Sequence, residues 1–177
     1  LLAVNFSDNQ QRILLDKGGQ NGVVTGMAIV DDNGLMGQVT RTYPLHSEGM
    51  LISDPAHAVP VQIVRNGLRD VLQGTGDSEL LQLVHPSISA DISVGDLLVT
   101  SGLGGRFPTD FPVGKVISVQ RPTDSMFALV KAKPLASLDK SRNLLLLHAM
   151  PRQVAAPSSS QDEDKQKPTS ENASPDS

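Results

Sequence analysis

The sequence predicts an all-β fold: two small β-barrel lobes followed by a disordered C-terminal tail. Three observations carry that expectation. Aliphatic residues fall in short runs bounded by turn residues, the pattern of strands. Fifteen glycines and twelve prolines are spread along the chain and interrupt any long helix. Asn-Gly pairs at 33–34 and 66–67 stand between aliphatic runs, where a tight hairpin needs residues that tolerate positive φ.

The elements follow in order. Residues 12–16 form an aliphatic run closed by Gly18 and Gly19. Residues 27–30 run into Asp31, Asp32, Asn33 and Gly34, and 35–40 form the return strand. Residues 50–53 follow, and then 59–64 meets the second Asn-Gly pair and returns as 68–73. Further strands are expected at 80–84, 97–100, 113–119, 127–132 and 144–147. Alternation is plain in 59–63 and again in 113–119. A weak internal repeat sets 22–30 beside 92–99, and 36–39 beside 113–116. Each copy is then followed by a proline, Pro44 or Pro122, and by another aliphatic strand. Two similar lobes are therefore expected, at 1–84 and 85–150, with 59–84 of uncertain allegiance.

Residues 151–177 change character to Ser, Pro, Asp, Glu, Gln and Lys. Such a segment buries too little apolar surface to offset its ordering entropy, so a disordered tail is expected. Its charged cluster at 162–165 reads as solvating.

Composition narrows the function. A folded body of this size buries roughly 68–70% of its unfolded surface, so no metal or disulfide is needed for stability. Aromatic residues make up 3% of the chain, with one tyrosine and no tryptophan, so the core must be aliphatic. Nucleic-acid binding needs stacking aromatics and a basic groove, and a net charge of -4 opposes both phosphate contact and counterion release. No nucleic-acid partner is expected. Cysteine is absent, which excludes disulfides and thiolate-bound metal. No run of 18 apolar residues occurs, so no membrane-spanning helix is expected here. The chain opens on Leu1 with no signal-peptide pattern, and it reads as a fragment whose anchor would lie upstream.

Three chemistries would leave marks in such a sequence. His46, His57, His85 and His148 show no spacing that pairs metal ligands, so neither a metal nor a cofactor is expected. A serine peptidase would draw on His57, Asp70 or Asp77, and Ser101, the chain order of chymotrypsin-like double barrels. Ser101 lacks the Gly-Asp that precedes the nucleophile there. A PDZ-like domain would use Gly102, Leu103, Gly104 and Gly105 as a carboxylate-binding loop, but Pro108 and Pro112 oppose the paired strand that should follow. The favoured reading of Ser101, Gly102, Leu103, Gly104, Gly105, Phe107, Pro108, Phe111 and Pro112 is a structural turn that also offers a contact loop.

The stretch 94–108, continued by 111–116, resembles the most characteristic segment of the rod-shape-determining MreC family. Further matches lie at 16–18 with 21–23, at 34–39, at 52–60 and at Arg65-Asn66, so the resemblance covers about 10–148. The resemblance implies a bitopic inner-membrane protein with a coiled coil and a periplasmic double β-barrel, trypsin-like in architecture but without a catalytic site. It implies a non-enzymatic scaffold of the cell-elongation machinery that self-associates and binds the penicillin-binding transpeptidase. MreB, MreD and RodA-type partners are implied too, in part through the membrane helix and coiled coil that this sequence lacks. The alternatives, a degenerate or active serine peptidase and a peptide-binding regulatory domain, stay open at this point.

Overall fold

The structure, a computed structural model, describes residues 3–7, 10–139, 141 and 143–148. The expected tail at 151–177 lies outside the described residues. The described residues form twelve strands: β1 (Ala3–Ser7), β2 (Gln10–Leu15), β3 (Ala28–Val30), β4 (Leu35–Thr42), β5 (Ser47–Leu51), β6 (Ala58–Ile63), β7 (Arg69–Gly74), β8 (Leu81–Leu83), β9 (Leu97–Thr100), β10 (Pro112–Gln120), β11 (Leu129–Pro134) and β12 (Leu145–Leu147). The fold is all-β, and the described residues contain no α-helix.

The strands form two sheets. One has six antiparallel strands in the order β1-β2-β5-β4-β3-β12. The other closes on itself as β10-β11-β8-β7-β6-β9, a six-stranded barrel. The hydrogen bonding does not follow a cut at residue 84. Strands β6 to β8, the stretch whose allegiance was open, pair into the closed barrel, and β12 crosses back to pair with β3. Three leucines in β12 carry no register information of their own, so its partner is set by tertiary contact.

The repeat is a real feature of the backbone. Gly26 and Gly95 both adopt left-handed backbone, with φ of 95° and 97°. The Gly26 N–H donates to the Val39 carbonyl, and the Val39 N–H to the Met27 carbonyl, both at 2.8 Å. In the barrel, Gly95 donates to Val116 at 2.8 Å and Val116 to Asp96 at 2.9 Å. The strands after these points carry matching irregularities: β4 slips register between Val39 and Arg41, and β10 between Val116 and Ser118. Two copies of one strand–loop–bulged-strand unit thus seed the two sheets.

The hairpins form, but by different means. Gly67 takes positive φ, 71°, as an Asn-Gly turn requires. Neither Asn33 nor Gly34 does. There the Asp31 carboxylate does the work: its Oδ1 accepts the N–H groups of Asn33 and Gly34, both at 2.9 Å. Gly34 is needed for room instead, since a Cβ would sit 2.8 Å from the Pro112 carbonyl of the barrel. Asp31 Oδ2 also accepts from Ser137 N–H at 2.9 Å and Ser141 Oγ at 2.5 Å, which ties this hairpin to the segment after β11. Strand β5 starts three residues earlier than expected, and β1 was not foreseen.

Between β5 and β6 the chain passes from sheet to barrel, and the passage is buried and polar. Asp54 is 1% exposed. Its Oδ2 accepts the Gln11 N–H at 2.7 Å and its Oδ1 the Ala56 N–H at 2.8 Å. The Gln11 side chain accepts from Ser53 Oγ and donates to the Gly76 carbonyl. One network therefore joins β2, the linker and the β7–β8 connection. Charge-assisted bonds of this kind are stronger than neutral ones, and a buried acceptor left unpaired is costly. Around it the core is aliphatic, with Ile13, Ile29, Leu35, Met36 and Leu51 in the first sheet and Ile63, Leu72, Leu81 and Leu98 in the barrel. Phe107 is buried in this core, 3% exposed.

Candidate functional site

The loop from Thr100 to Pro112 is shaped by its own hydrogen bonds. Thr100 closes its neck: its N–H donates to the Phe111 carbonyl at 2.8 Å, and its carbonyl accepts from Asp110 N–H at 2.9 Å. Its hydroxyl accepts the Phe111 N–H at 2.9 Å and donates to the Pro108 carbonyl. The Ser101 N–H donates to Pro60 at 3.0 Å, anchoring the loop to β6. Asp110 is held at a φ of 60°, and its Oδ1 accepts from Gln62 Nε2 at 2.7 Å.

Within that frame the loop residues divide. Phe107 points inward and meets the His57 ring edge-on, centroids 6.0 Å apart at 63°. Ser101 is buried, while Leu103, Gly104, Gly105 and Arg106 are exposed. Gly102, Gly104 and Gly105 adopt left-handed backbone, with φ of 70°, 73° and 62°. Thr100, Thr109 and Asp110 shape the loop as much as the glycines do. No motif marks them; a hydroxyl followed by a two-proline loop is the only signal available.

A Cβ on Gly102 would come inside 3.0 Å of Thr109 Oγ1, whereas one on Gly104 would meet open space. Left-handed backbone alone costs a side chain about 1–2 kcal/mol. We therefore expect Gly104→Ala to lose roughly 1 kcal/mol, and Gly102→Ala to lose clearly more because Thr109 must also move. Urea midpoints of the two variants check this; equal losses would show that Thr109 yields freely.

The peptidase constellation is not assembled. Both ring nitrogens of buried His57 lack a hydrogen-bond partner, so the ring is bonded neither to Ser101 nor to an aspartate. Asp70 Oδ1 accepts the Val71 N–H, Asp77 Oδ1 accepts the Glu79 N–H, and Ser101 Oγ accepts from Leu103 N–H at 3.4 Å. Burial pushes the His57 imidazole down to about 4; nearby Asp54 opposes that shift and Arg106 adds to it. The PDZ reading fares no better. Leu103 and Gly105 spend their N–H groups inside the loop, Gly105 on the Gly102 carbonyl at 3.2 Å.

The barrel's outer surface is a second feature. Val64, Val94, Leu97 and Ile117 are all exposed, with Val94 at 65%. They are neighbours. Val64 N–H donates to the Leu97 carbonyl at 3.0 Å, Leu97 pairs with Lys115, and Gly95 N–H reaches Val116 beside Ile117. Exposed aliphatic groups gathered on one sheet face mark a contact surface more often than chance placement does.

Fold and loop together define a class: an antiparallel sheet and a closed barrel grown from one repeated unit, with a glycine–proline loop and an aliphatic outer face. The family described as rod shape-determining protein MreC, barrel core, matches residues 1–148, and the chain belongs to the MreC family. The cell shape-determining protein MreC of Escherichia coli strain K12 is 44% identical over 146 residues, 82% of this chain and 40% of that protein. That of Haemophilus influenzae is 44% identical over 138 residues, 78% and 39% respectively. The chain thus spans about two fifths of these relatives' length. The crystal structure of MreC from Pseudomonas aeruginosa is similar with a TM-score of 0.80 and 44% identity, covering 83% of this chain and 95% of that one. MreC in a complex with penicillin-binding protein PBP2 from Helicobacter pylori is similar with a TM-score of 0.54 and 25% identity, covering 67% and 74%.

Proposed function

We propose that this chain is a non-enzymatic periplasmic module of the cell-elongation machinery, which helps to maintain rod shape by binding the peptidoglycan transpeptidase. The observation that carries the reading is the Helicobacter pylori relative, solved as a complex of PBP2 with MreC. The unassembled triad supports it: a serine whose hydroxyl meets a backbone amide, and a histidine held neutral by burial, do no acid–base work. The full protein acts at the periplasmic face of the inner membrane, anchored by a helix outside this chain. Contacts with MreB, MreD and a RodA-type protein run in part through that outside region. Self-association fits the six-stranded sheet, whose end strands β1 and β12 each pair with one neighbour among the described residues and so offer an edge for strand addition.

We assign transpeptidase binding to the aliphatic face of Val64, Val94, Leu97 and Ile117. With few aromatic anchors in the chain, aliphatic area must supply the contact. The test is a pull-down with the transpeptidase's soluble periplasmic region. The parent chain should retain it, and the double variant Leu97→Glu/Ile117→Glu should lose it, with an unchanged melting temperature. Full retention by the double variant would move the interface elsewhere.

A further inference from the structure

His57 stands where the first sheet hands over to the barrel, and its backbone is fixed on both sides. Its N–H donates to the Asp54 carbonyl at 2.9 Å, and its carbonyl accepts from Gly74 N–H at 3.3 Å. The ring has no such support. It is buried, and among the described residues neither nitrogen has a hydrogen-bond partner. A buried polar group left unpaired is destabilising, so the closed arrangement must be held by its neighbours. The neighbour that meets the ring edge-on is Phe107 of the glycine loop.

That loop is built to move as a unit. Thr100, Asp110 and Phe111 bond one another at its neck. Beyond the neck, Leu103 N–H donates to Ser101 Oγ and Gly105 N–H to the Gly102 carbonyl. Both bonds lie inside the segment 101–107 and survive if it swings out. Ser101 N–H donates outward to Pro60 at 3.0 Å, and the Arg106 carbonyl accepts from Gln38 Nε2 at 3.3 Å across an exposed gap. Segments held by few buried contacts open at a fraction of the global unfolding free energy. Once Phe107 leaves, water can reach the ring and pair its nitrogens. The charges that face the ring are Asp54 on the linker, which favours the protonated form, and Arg106 on the loop, which opposes it. The Asp54 carboxylate already accepts the Gln11 and Ala56 amides, and β7 meets the linker with uncharged Gly74.

We propose that residues 101–107 form an acid-opened flap: protonation of His57 drives Phe107 out of the junction, and the flap swings about its neck while both sheets stay folded. The flap does not depend on the barrel face assigned to the transpeptidase. The sign follows from burial. The closed state holds the imidazole at about 4, against 6.5 in water, so the open state takes the proton first and gains on the closed state as pH falls from 6.5 toward 4.

The experiment is amide hydrogen exchange, followed by NMR, on the chain and on His57→Leu at pH 7.5 and 5. Comparing the two proteins at equal pH cancels the intrinsic exchange rates. At Ser101 and Phe107 the ratio of parent to variant rate should rise roughly 25-fold between pH 7.5 and 5. A second measurement on the parent alone separates the flap from global unfolding. At pH 5 exchange at Ser101 and Phe107 should be faster, relative to intrinsic rates, than at Val116 in the barrel core, and unchanged by low urea, because a local opening exposes little surface. A ratio that stays the same at both pH values would overturn the proposal. So would a urea dependence at Ser101 and Phe107 equal to that at Val116, since His57 would then act only through global unfolding.

Discussion

Replacing Gly74 by alanine should destabilise the protein by about 3 kcal/mol or more. Gly74 ends β7, where the barrel wall lies against the linker from the first sheet. A Cβ there would come inside 3.0 Å of the backbone of both Ser53 and Asp54, not of a flexible side-chain tip. Nothing on either side can rotate away. The linker would have to lift, and with it the Gly74 N–H bond to His57 at 3.3 Å and the Gly76 N–H bond to Ser53 at 2.9 Å. The Gln11 and Asp54 network depends on the same linker position. For a domain of this size the loss corresponds to a fall in melting temperature of roughly 10 °C. A fall of a degree or two in a thermal melt would mean that linker and barrel are less tightly fitted than the backbone distances require.

Acid should weaken the fold well before carboxylates titrate, through His57. The folded protein holds this imidazole at about 4, against 6.5 when unfolded. The unfolded chain therefore takes up the proton first. The stabilisation is complete above pH 6.5 and is lost as pH falls from 6.5 toward 4, by about 3 kcal/mol in all. Asp96 acts below that window, because its bond from Arg65 holds the carboxyl down. Burial pushes Asp70 up, so it acts in the opposite sense near the bottom of the window. Urea midpoints at pH 7.5, 6 and 5 measure the slope. His57→Leu should remove most of it while leaving an aliphatic group against Phe107. An equal slope in that variant would assign the acid sensitivity to another group.

These two predictions rest on residues that the sequence made visible to different degrees. The alternation in 113–119 places β10 because one face of that strand is buried, and period-two burial is a local property. The glycine–proline loop was legible for a similar reason: left-handed backbone selects glycine residue by residue. Pairing was less legible. Strands β6 and β7 show their hairpin, yet nothing local says that β6 also pairs with β9 and so closes the barrel. Asp31 looked like one more turn residue, and its second role, bonding Ser137 and Ser141, spans more than a hundred positions. The sequence offers His57 as a candidate base, whereas its ring is a buried packing partner of Phe107.

We propose that the module works by apolar contact with the transpeptidase. The most direct test is the dissociation constant of the chain with the transpeptidase's soluble periplasmic region, measured from about 50 to 300 mM salt, a range over which exposed charge pairs are progressively screened. The account predicts a constant that changes by less than about threefold across that range. A weakening of about tenfold or more, or no binding at any salt concentration, would contradict it.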